Sequence, residues 1–185
     1  MMAETEHVLN LGCGEDSQGD VRFDLSRRWN PNVQGTATDL PFVDEAFTHV
    51  VADQVLEHLN PDEVISAMNE VYRVLQAGGT FEAYVPHASS RLSYQDPTHR
   101  STWTFRSIEY FTDGKFAWYF DDQPFDFELV HREVNLWVHP ERFLSGLRSK
   151  KLQLLHRLLG TEDEYAYRSD VDASIRFIIQ KSSHT

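Results

Sequence analysis

The chain has 185 residues, of which 41% are hydrophobic and 12% aromatic, a size and composition typical of one globular domain and not of a disordered chain. The formal net charge is −12, from 17 basic and 29 acidic residues, so the surface repels phosphates and nucleic acid is not an expected partner. The single cysteine excludes an internal disulfide. No apolar run is long enough to span a bilayer, and residues 1–6 do not resemble a signal peptide, so we predict a cytoplasmic protein.

The basic residues are mostly arginines, and only four are lysines. An acidic, lysine-poor surface is typical of proteins in a halophilic, salt-rich cytoplasm, where salt screens the self-repulsion. An ordinary acidic protein is equally compatible with it, and neither interpretation bears on the reaction.

The first half alternates short apolar runs with a helical pattern. Pro61 suits the first turn of a helix whose apolar residues recur from Val64 to Leu75, and Gly78 and Gly79 are expected to end it. The predicted strands are Val8–Leu11, Val21–Asp24, a short one near 35–38, Phe47–Ala52 and Thr80–Val85. Strands that alternate with helices indicate parallel pairing and right-handed crossovers, so we predict a doubly wound α/β sheet.

The second half has a different pattern. Residues 107–111 are predicted to form a short helix, and residues 140–159 one or two amphipathic helices. Phe125–Val138 is predicted to be a long strand with a bulge, and Ala173–Gln180 is predicted to be the last strand. Two late strands joined by an excursion are expected to form an antiparallel hairpin at the edge of the parallel sheet.

A glycine pair directly follows the first strand, in Leu11-Gly12-Cys13-Gly14. Glycines there allow a sharp turn and let a ligand approach the main chain. Asp24 ends the second strand, where a carboxylate can accept both ribose hydroxyls. Asp39 can accept from an adenine amino group, with Leu40 and Phe42 against the ring. Each feature also has a plain structural interpretation, as a strand-end turn or a turn cap.

Taken in order, these runs resemble the class I S-adenosylmethionine-dependent methyltransferases. The resemblance covers residues 7–86 and is most specific at Leu56-Glu57-His58 and Arg73-Val74-Leu75. It implies a Rossmann-like fold with S-adenosylmethionine as cofactor. The implied cofactor-binding residues are Leu11, Gly12, Cys13 and Gly14 for methionine, Asp24 with Leu25 for ribose, Asp39 with Leu40 for adenine, and Ala52, Asp53 and Gln54 beside the methionine moiety.

The first crossover departs from the wider family. Only residues 13–23 separate Gly12 from Asp24, too few for the usual helix. The short crossover disfavours a nicotinamide-dependent oxidoreductase, whose Gly-x-Gly-x-x-Gly run opens a helix; positions 12, 14 and 17 are Gly, Gly and Ser. The chain further resembles a subgroup of small methyltransferases with Asp-Pro-Thr-His after the fifth strand, here Asp96-Pro97-Thr98-His99.

Three residues are candidates for the chemistry of the methyl acceptor. His87 directly follows the fifth strand, and His99 lies on a loop that can cover the cofactor. Each can act as a base because imidazole titrates near neutral pH, and Asp96 is placed to orient His99. For His58 we expect a helix residue bonded to backbone. These histidines and Asp96 show no tight ligand spacing, so no metal is predicted.

Two further surfaces remain open to interpretation. The aromatic residues between Trp103 and Phe120 line an acceptor pocket or form a lid packed on the sheet. The stretch from Arg142 to Arg157 has basic side chains and no acidic ones, which suits either a solvated helix face or an anionic ligand, a partner or a membrane surface.

We therefore expect one domain over residues 1–185, with a cofactor-binding half (7–86), a lid and acceptor region (87–172) and a last strand (173–181). The predicted function is methyl transfer from S-adenosylmethionine to an oxygen or nitrogen atom of a small molecule or glycan. The alternative is a non-catalytic regulatory module that binds S-adenosylmethionine. A homodimer is compatible with the sequence.

Overall fold

A seven-stranded sheet organises the chain. The structure is a computed structural model that describes residues 7–112, 116–120, 122–138 and 171–183. The strands are β1 (Val8–Leu11), β2 (Val21–Asp24), β3 (Val33–Gln34), β4 (Phe47–Asp53), β5 (Leu75–Pro86), β6 (Phe127–Val138) and β7 (Val171–Lys181). The α-helices are α1 (Pro61–Val74) and α2 (Leu92–Gln95). Short 3-10 helices are Arg27–Trp29, Leu56–His58, Ser107–Tyr110 and Ala117–Phe120.

The strand order is β3-β2-β1-β4-β5-β7-β6. Strands β1 to β5 pair in parallel, whereas β7 is antiparallel to both β5 and β6. The Rossmann-like, mainly parallel sheet with an antiparallel edge hairpin is thus confirmed. Parallel pairing brings the carboxyl ends of β1, β2, β4 and β5 to one edge of the sheet, which is where such folds bind ligands.

Helix α1 begins where Pro61 predicts. Asn60 is the N-cap, and its side chain accepts from the Glu63 N–H while the Glu63 side chain accepts from the Asn60 N–H. This reciprocal capping box satisfies two of the backbone donors that a helix start leaves unpaired. The helix buries Val64, Met68 and Val71 against the sheet.

We expect Asn60→Ala to lower the free energy of unfolding by about 1 kcal/mol, because it removes the side-chain acceptor of the cap. Urea denaturation measures the change. Asn60→Ser keeps a capping oxygen and is expected to stay close to the wild type. Equal losses in the two variants would contradict a capping role.

The predicted end of α1 is wrong. The helix stops at Val74, and Gly78 and Gly79 lie inside β5. Phe47 pairs with Leu75 and His49 with Thr80, so four residues of β5 lie opposite one residue of β4. Gly78 has a φ of +76°, which glycine adopts without steric cost. The two glycines therefore accommodate a bulge instead of ending a helix.

The third strand is also displaced from its predicted place, because β3 is Val33–Gln34 and Thr36 to Asp39 form an isolated bridge. A Cβ on Gly35 would lie 2.8 Å from the Phe23 ring, so only a glycine fits beside that ring. The short helix at 107–111 is confirmed as Ser107–Tyr110. The bulge in the long strand is confirmed as well, between Leu129 and His131.

The predicted helices of 140–159, with the basic stretch from Arg142 to Arg157, lie outside the described residues. Among the residues that the structure does describe, no helix is long and apolar enough to cross a membrane.

Candidate active site at the carboxyl edge of the sheet

The loop after β1 turns sharply and is bonded to the end of β2. Gly12 has a φ of +71° and Gly14 a φ of +49°, values that favour glycine. The N–H groups of Gly12 and Cys13 both donate to the Phe23 carbonyl, at 2.8 and 3.0 Å. A Cβ on Gly12 would collide with the Val55 side chain. The loop thus presents main chain, without a side chain, at this edge.

The crossover that follows contains no helix, as predicted. Asn10 is 5% exposed, and its amide donates to Asp16 Oδ2 at 3.1 Å and to the Gln18 carbonyl at 3.2 Å. The backbone N–H of Asp20 then returns to the Val8 carbonyl at 3.0 Å. Side-chain hydrogen bonds from β1 therefore hold the turn that a helix holds in longer crossovers.

Asp24 joins the two loops of this edge. Its Oδ2 accepts from the Gly14 N–H at 3.0 Å and its Oδ1 from the Ser26 N–H at 2.7 Å. The turn-capping interpretation of Asp24 is therefore observed. Each carboxylate oxygen accepts more than one hydrogen bond, so the cap leaves acceptor capacity. Leu25 beside it is 71% exposed and offers an apolar surface next to the carboxylate.

The loop after β3 differs in part from its predicted role. Asp39 is exposed, which suits a hydrogen bond to a ligand. Leu40 is only 2% exposed, and Phe42 packs edge-on against Phe23 and Phe47. The Leu40 side chain lies in the core, so it cannot lie against an adenine ring, whereas Phe42 is only partly buried and the expectation for it stays a prediction. Leu40 can reach a ligand there only through its main chain.

Arg73 of α1 holds this loop in place. Its Nη1 donates to the carbonyl of Phe42 at 2.7 Å and its Nη2 to that of Leu40 at 2.9 Å. The same guanidinium binds Glu70 through two hydrogen bonds and Asp44 through one. Glu70 Oε2 accepts in addition from the Leu40 N–H at 2.7 Å. The run around Arg73 is among the most specific parts of the family resemblance, but the sequence did not predict this network.

The predicted cofactor residues fall into two groups. Leu11, Cys13 and Ala52 are at most 4% exposed, so only their main chains can contribute to binding. Asp53 and Gln54 are exposed at the end of β4. Gln54 has a φ of +55° and its N–H donates to the Tyr84 carbonyl at 3.0 Å. Burial, reinforced by Asp16, raises the pKa of the Asp53 carboxyl.

The predicted bases occupy different environments. His87 is fully buried, and its Nδ1 shares a hydrogen bond of 2.8 Å with the Ser89 hydroxyl. His99 is partly exposed and packs edge-on against His58, with ring centroids 4.8 Å apart. Of the two, only His99 is open to an acceptor molecule.

Asp96 orients His58 and not His99. Asp96 Oδ1 accepts from the Thr98 hydroxyl at 2.6 Å, and the Thr98 oxygen lies 3.0 Å from His58 Nδ1. Hydrogen bonds from Thr98 also lower the pKa of the Asp96 carboxyl. His99 Nδ1 instead lies 3.2 Å from the Ser93 carbonyl. The expectation that His58 bonds to backbone is wrong, because its partner is a side chain.

Glu57 is the residue that sequence reasoning missed. It is 1% exposed, and neither carboxyl oxygen has a hydrogen-bond partner beyond a contact with the backbone N–H of the same residue. Burial raises its pKa to about 8, and the nearby Asp53 and Asp96 carboxylates add to this. Its own carbonyl accepts from the N–H groups of Arg100 and Ser101. One donor atom each of Glu57, His58 and His99 lies within 4.8 Å of the other two.

An apolar cavity of about 390 Å³ lies beside this cluster, against the first turn of α1. Trp103, Tyr110, Phe111 and Phe120 form much of its wall, and Arg100 lies at the same cavity. The aromatic residues of this region thus line a cavity, and Trp103 and Phe111 are also buried in the core; that the cavity holds an acceptor stays a prediction.

Residues 15–83 match the family model described as a methyltransferase domain. This part of the chain is therefore similar to methyltransferase domains. The match includes the Asp24 turn, the Asp39 loop, the Glu57 region and α1. Among curated proteins, none is similar enough to this chain to count as a match.

Several solved structures have the same fold as this chain. An S-adenosylmethionine-dependent methyltransferase from Archaeoglobus fulgidus is 16% identical, with 96% of this chain and 87% of that chain covered and a TM-score of 0.63. One from Methanosarcina mazei is 14% identical, with coverages of 98% and 94% and a TM-score of 0.58. The 4+2 cyclase SpnF is 16% identical, with coverages of 97% and 76% and a TM-score of 0.53. The predicted fold is confirmed, while the family and the cofactor stay predictions that the match over residues 15–83 supports.

Proposed function

We propose that this methyltransferase transfers the methyl group of S-adenosylmethionine to an oxygen or nitrogen atom of a small molecule or glycan. The observation that carries the proposal is that His58 and His99, from the segments after β4 and β5, pack against each other, and that the Asp53 carboxylate at the end of β4 acts on Glu57 beside them. A pair of imidazoles next to the strand end where the cofactor would lie suits a direct transfer between two bound molecules.

The cofactor would be held mainly by the exposed groups of the edge. Asp24 would accept from the ribose hydroxyls, with Leu25 packed against the nucleoside. Asp39 would accept from the adenine amino group. The main chain of Gly12 to Gly14, with Asp53 and Gln54, would surround the methionine part. A charge-assisted hydrogen bond is the strongest of these contacts.

The acceptor side has the simpler task. The sulfonium is already activated, so the protein needs to place the acceptor in line with the methyl group. A hydroxyl or ammonium acceptor must also lose a proton, which an imidazole takes up near neutral pH. We assign acceptor activation to His99, with Asp96 acting indirectly through Thr98 and His58; His87 is too deeply buried to reach an acceptor.

The alternative function, a non-catalytic module that binds S-adenosylmethionine, remains a second candidate because the fold does not dictate the reaction. The cyclase SpnF has this fold. A regulatory module would bind the cofactor and produce no S-adenosylhomocysteine with any acceptor.

The test is calorimetry with S-adenosylmethionine and with NAD, followed by assay of S-adenosylhomocysteine formation with hydroxyl and amine acceptors. We expect His99→Ala to lower turnover at least about tenfold while cofactor affinity stays within about twofold, because general acid–base groups contribute roughly 100-fold or more. His131→Ala, which alters a half-exposed histidine on β6, is the matched control. Failure to bind S-adenosylmethionine, or tight binding of NAD, would contradict the proposal.

A further inference from the structure

We infer that Glu57, His58 and His99 form a binding site for one divalent transition-metal ion of the first row, such as Zn²⁺ or Mn²⁺. The site lies between the end of β4 and the Asp96–His99 loop. The metal site rests on its own geometry, and only its use in activating an acceptor rests on the proposed function.

The buried carboxyl group of Glu57 is the first feature that indicates a metal ion. Glu57 is 1% exposed, and its side-chain oxygens have no hydrogen-bond partner beyond a contact with the backbone N–H of the same residue. Buried polar groups in folded proteins are nearly always bonded, and an exception indicates a missing ion or water. Two backbone hydrogen bonds from Arg100 and Ser101, of 2.7 and 3.1 Å, hold the Glu57 carbonyl. They tie the main chain of Glu57 to the start of the segment after His99.

The tautomers of the His58 and His99 imidazoles are the second feature that indicates a metal ion. The Thr98 hydroxyl donates its only hydrogen to Asp96, so its oxygen accepts from His58 Nδ1. His99 Nδ1 faces the Ser93 carbonyl, which only accepts. Both Nδ1 atoms therefore carry the hydrogen, and both Nε2 atoms offer a lone pair. Histidines that bind metals are oriented in this way, by a carbonyl or carboxylate on the other ring nitrogen.

The chemical types of the three donor groups are the third feature that indicates a metal ion. Two imidazoles and one carboxylate suit zinc and its neighbours and not magnesium or calcium, which prefer all-oxygen sites. One ring nitrogen of each histidine and one carboxylate oxygen of Glu57 lie within 4.8 Å of one another. Ligands about 2.1 Å from a tetrahedral ion are roughly 3.4 Å apart, so movements of about 1 Å would complete the site. Three protein ligands leave a position for the acceptor oxygen, whose pKa the ion would lower. With the ion bound, His99 would activate the acceptor as a ligand of the ion and not as the base.

The experiment uses the full chain, freed of metal with a chelator and then titrated with Zn²⁺ alone. We expect one ion per chain by calorimetry and by metal analysis after dialysis. The affinity should fall at least about tenfold in Glu57→Gln and in His99→Ala, and further in His58→Ala/His99→Ala. The matched control is His131→Ala, because the His131 Nε2 lies 3.5 Å from a Glu133 oxygen, a histidine–carboxylate pair that no third ligand joins among the residues that the structure describes.

Absence of stoichiometric Zn²⁺ binding, or undiminished binding by the double variant, would overturn the inference. Circular dichroism and S-adenosylhomocysteine binding establish that each variant is folded, and Co²⁺ absorption gives a second readout of the ligand set. Co²⁺ spectra that change in His131→Ala and not in His99→Ala would also overturn it. Failure of the proposed function is distinguishable, because a protein that binds Zn²⁺ but forms no S-adenosylhomocysteine keeps the metal site and loses the reaction.

Discussion

Arg73→Ala is expected to lower the free energy of unfolding by about 3 kcal/mol, because charged hydrogen bonds each contribute roughly 1.5–3 kcal/mol and partial exposure weakens them. All five N–H donors of the guanidinium are used. Alanine would leave the carbonyls of Leu40 and Phe42 without this partner and would free Glu70. Because the same bonds fix the loop that presents Asp39, cofactor affinity should fall as well.

The effect of Arg73 should depend on pH. Hydrogen bonds from Arg73 hold the pKa of the Glu70 carboxyl below its usual value. A carboxyl whose pKa is lowered by folding stabilises the fold above its unfolded pKa of about 4.3, and this stability is lost as the pH falls through the lower folded value. The difference between wild type and Arg73→Ala should therefore be largest near neutral pH and shrink in acid.

Urea denaturation at neutral and acid pH measures both effects. Arg73→Lys is the conservative variant, and it should recover little because lysine lacks the planar fork that reaches two carbonyls and two carboxylates. Arg100→Ala is the matched surface control, since its pair with Glu63 is 3.2 Å long and the arginine is 56% exposed. A pH-independent loss in Arg73→Ala would show that Glu70 is not its main partner.

Asp24→Ala is expected to weaken S-adenosylmethionine binding by about 1–3 kcal/mol, or roughly five- to 150-fold, because it removes a charged acceptor that is nearly buried. Calorimetry with S-adenosylmethionine measures the change. Glu15→Ala alters an exposed acid on the same loop and controls for the change in charge. Unchanged affinity in Asp24→Ala would show that the ribose is held elsewhere.

Asp24 also caps two backbone N–H groups, so its direct and indirect effects must be separated. A cofactor analogue without the ribose 2′-hydroxyl distinguishes them. The wild type should bind the analogue less tightly than the cofactor, while Asp24→Ala should bind both almost equally. An equal penalty in both proteins would assign Asp24 a purely structural role in holding the Gly14 turn.

Local patterns predicted most of the sheet because they depend on nearby residues. The strand runs other than β3, the Pro61 start of α1, the short crossover and the bulge near Val130 all follow from periodicity and turn chemistry. The end of α1 was mispredicted because Gly78 and Gly79 also suit a bulge, and only the pairing of β5 with β4 decides between the two.

The candidate site was predictable only where its groups lie directly at strand ends. Asp24 and Asp39 could be placed in this way, but the burial of Leu40 could not, since it depends on packing against core residues distant in the sequence. Glu57 and His99 are 42 positions apart, and they meet because β4 and β5 end at the same edge. Nothing in local spacing shows that Thr98 connects Asp96 to His58.

The labelling rate of the single cysteine, Cys13, reports how often the glycine loop opens. Cys13 is 4% exposed, and burial raises the pKa of its thiol, so the closed loop protects it from alkylation. Labelling of the folded protein must then proceed through openings in which the two hydrogen bonds to Phe23 break. Cys13 is the only thiol in the sequence. The ratio of its labelling rates in the folded and the unfolded chain therefore gives the equilibrium constant of loop opening, and from it the free energy. Any molecule that binds over the loop would slow the labelling of Cys13, so the thiol would report occupancy without a radioactive or optical tag.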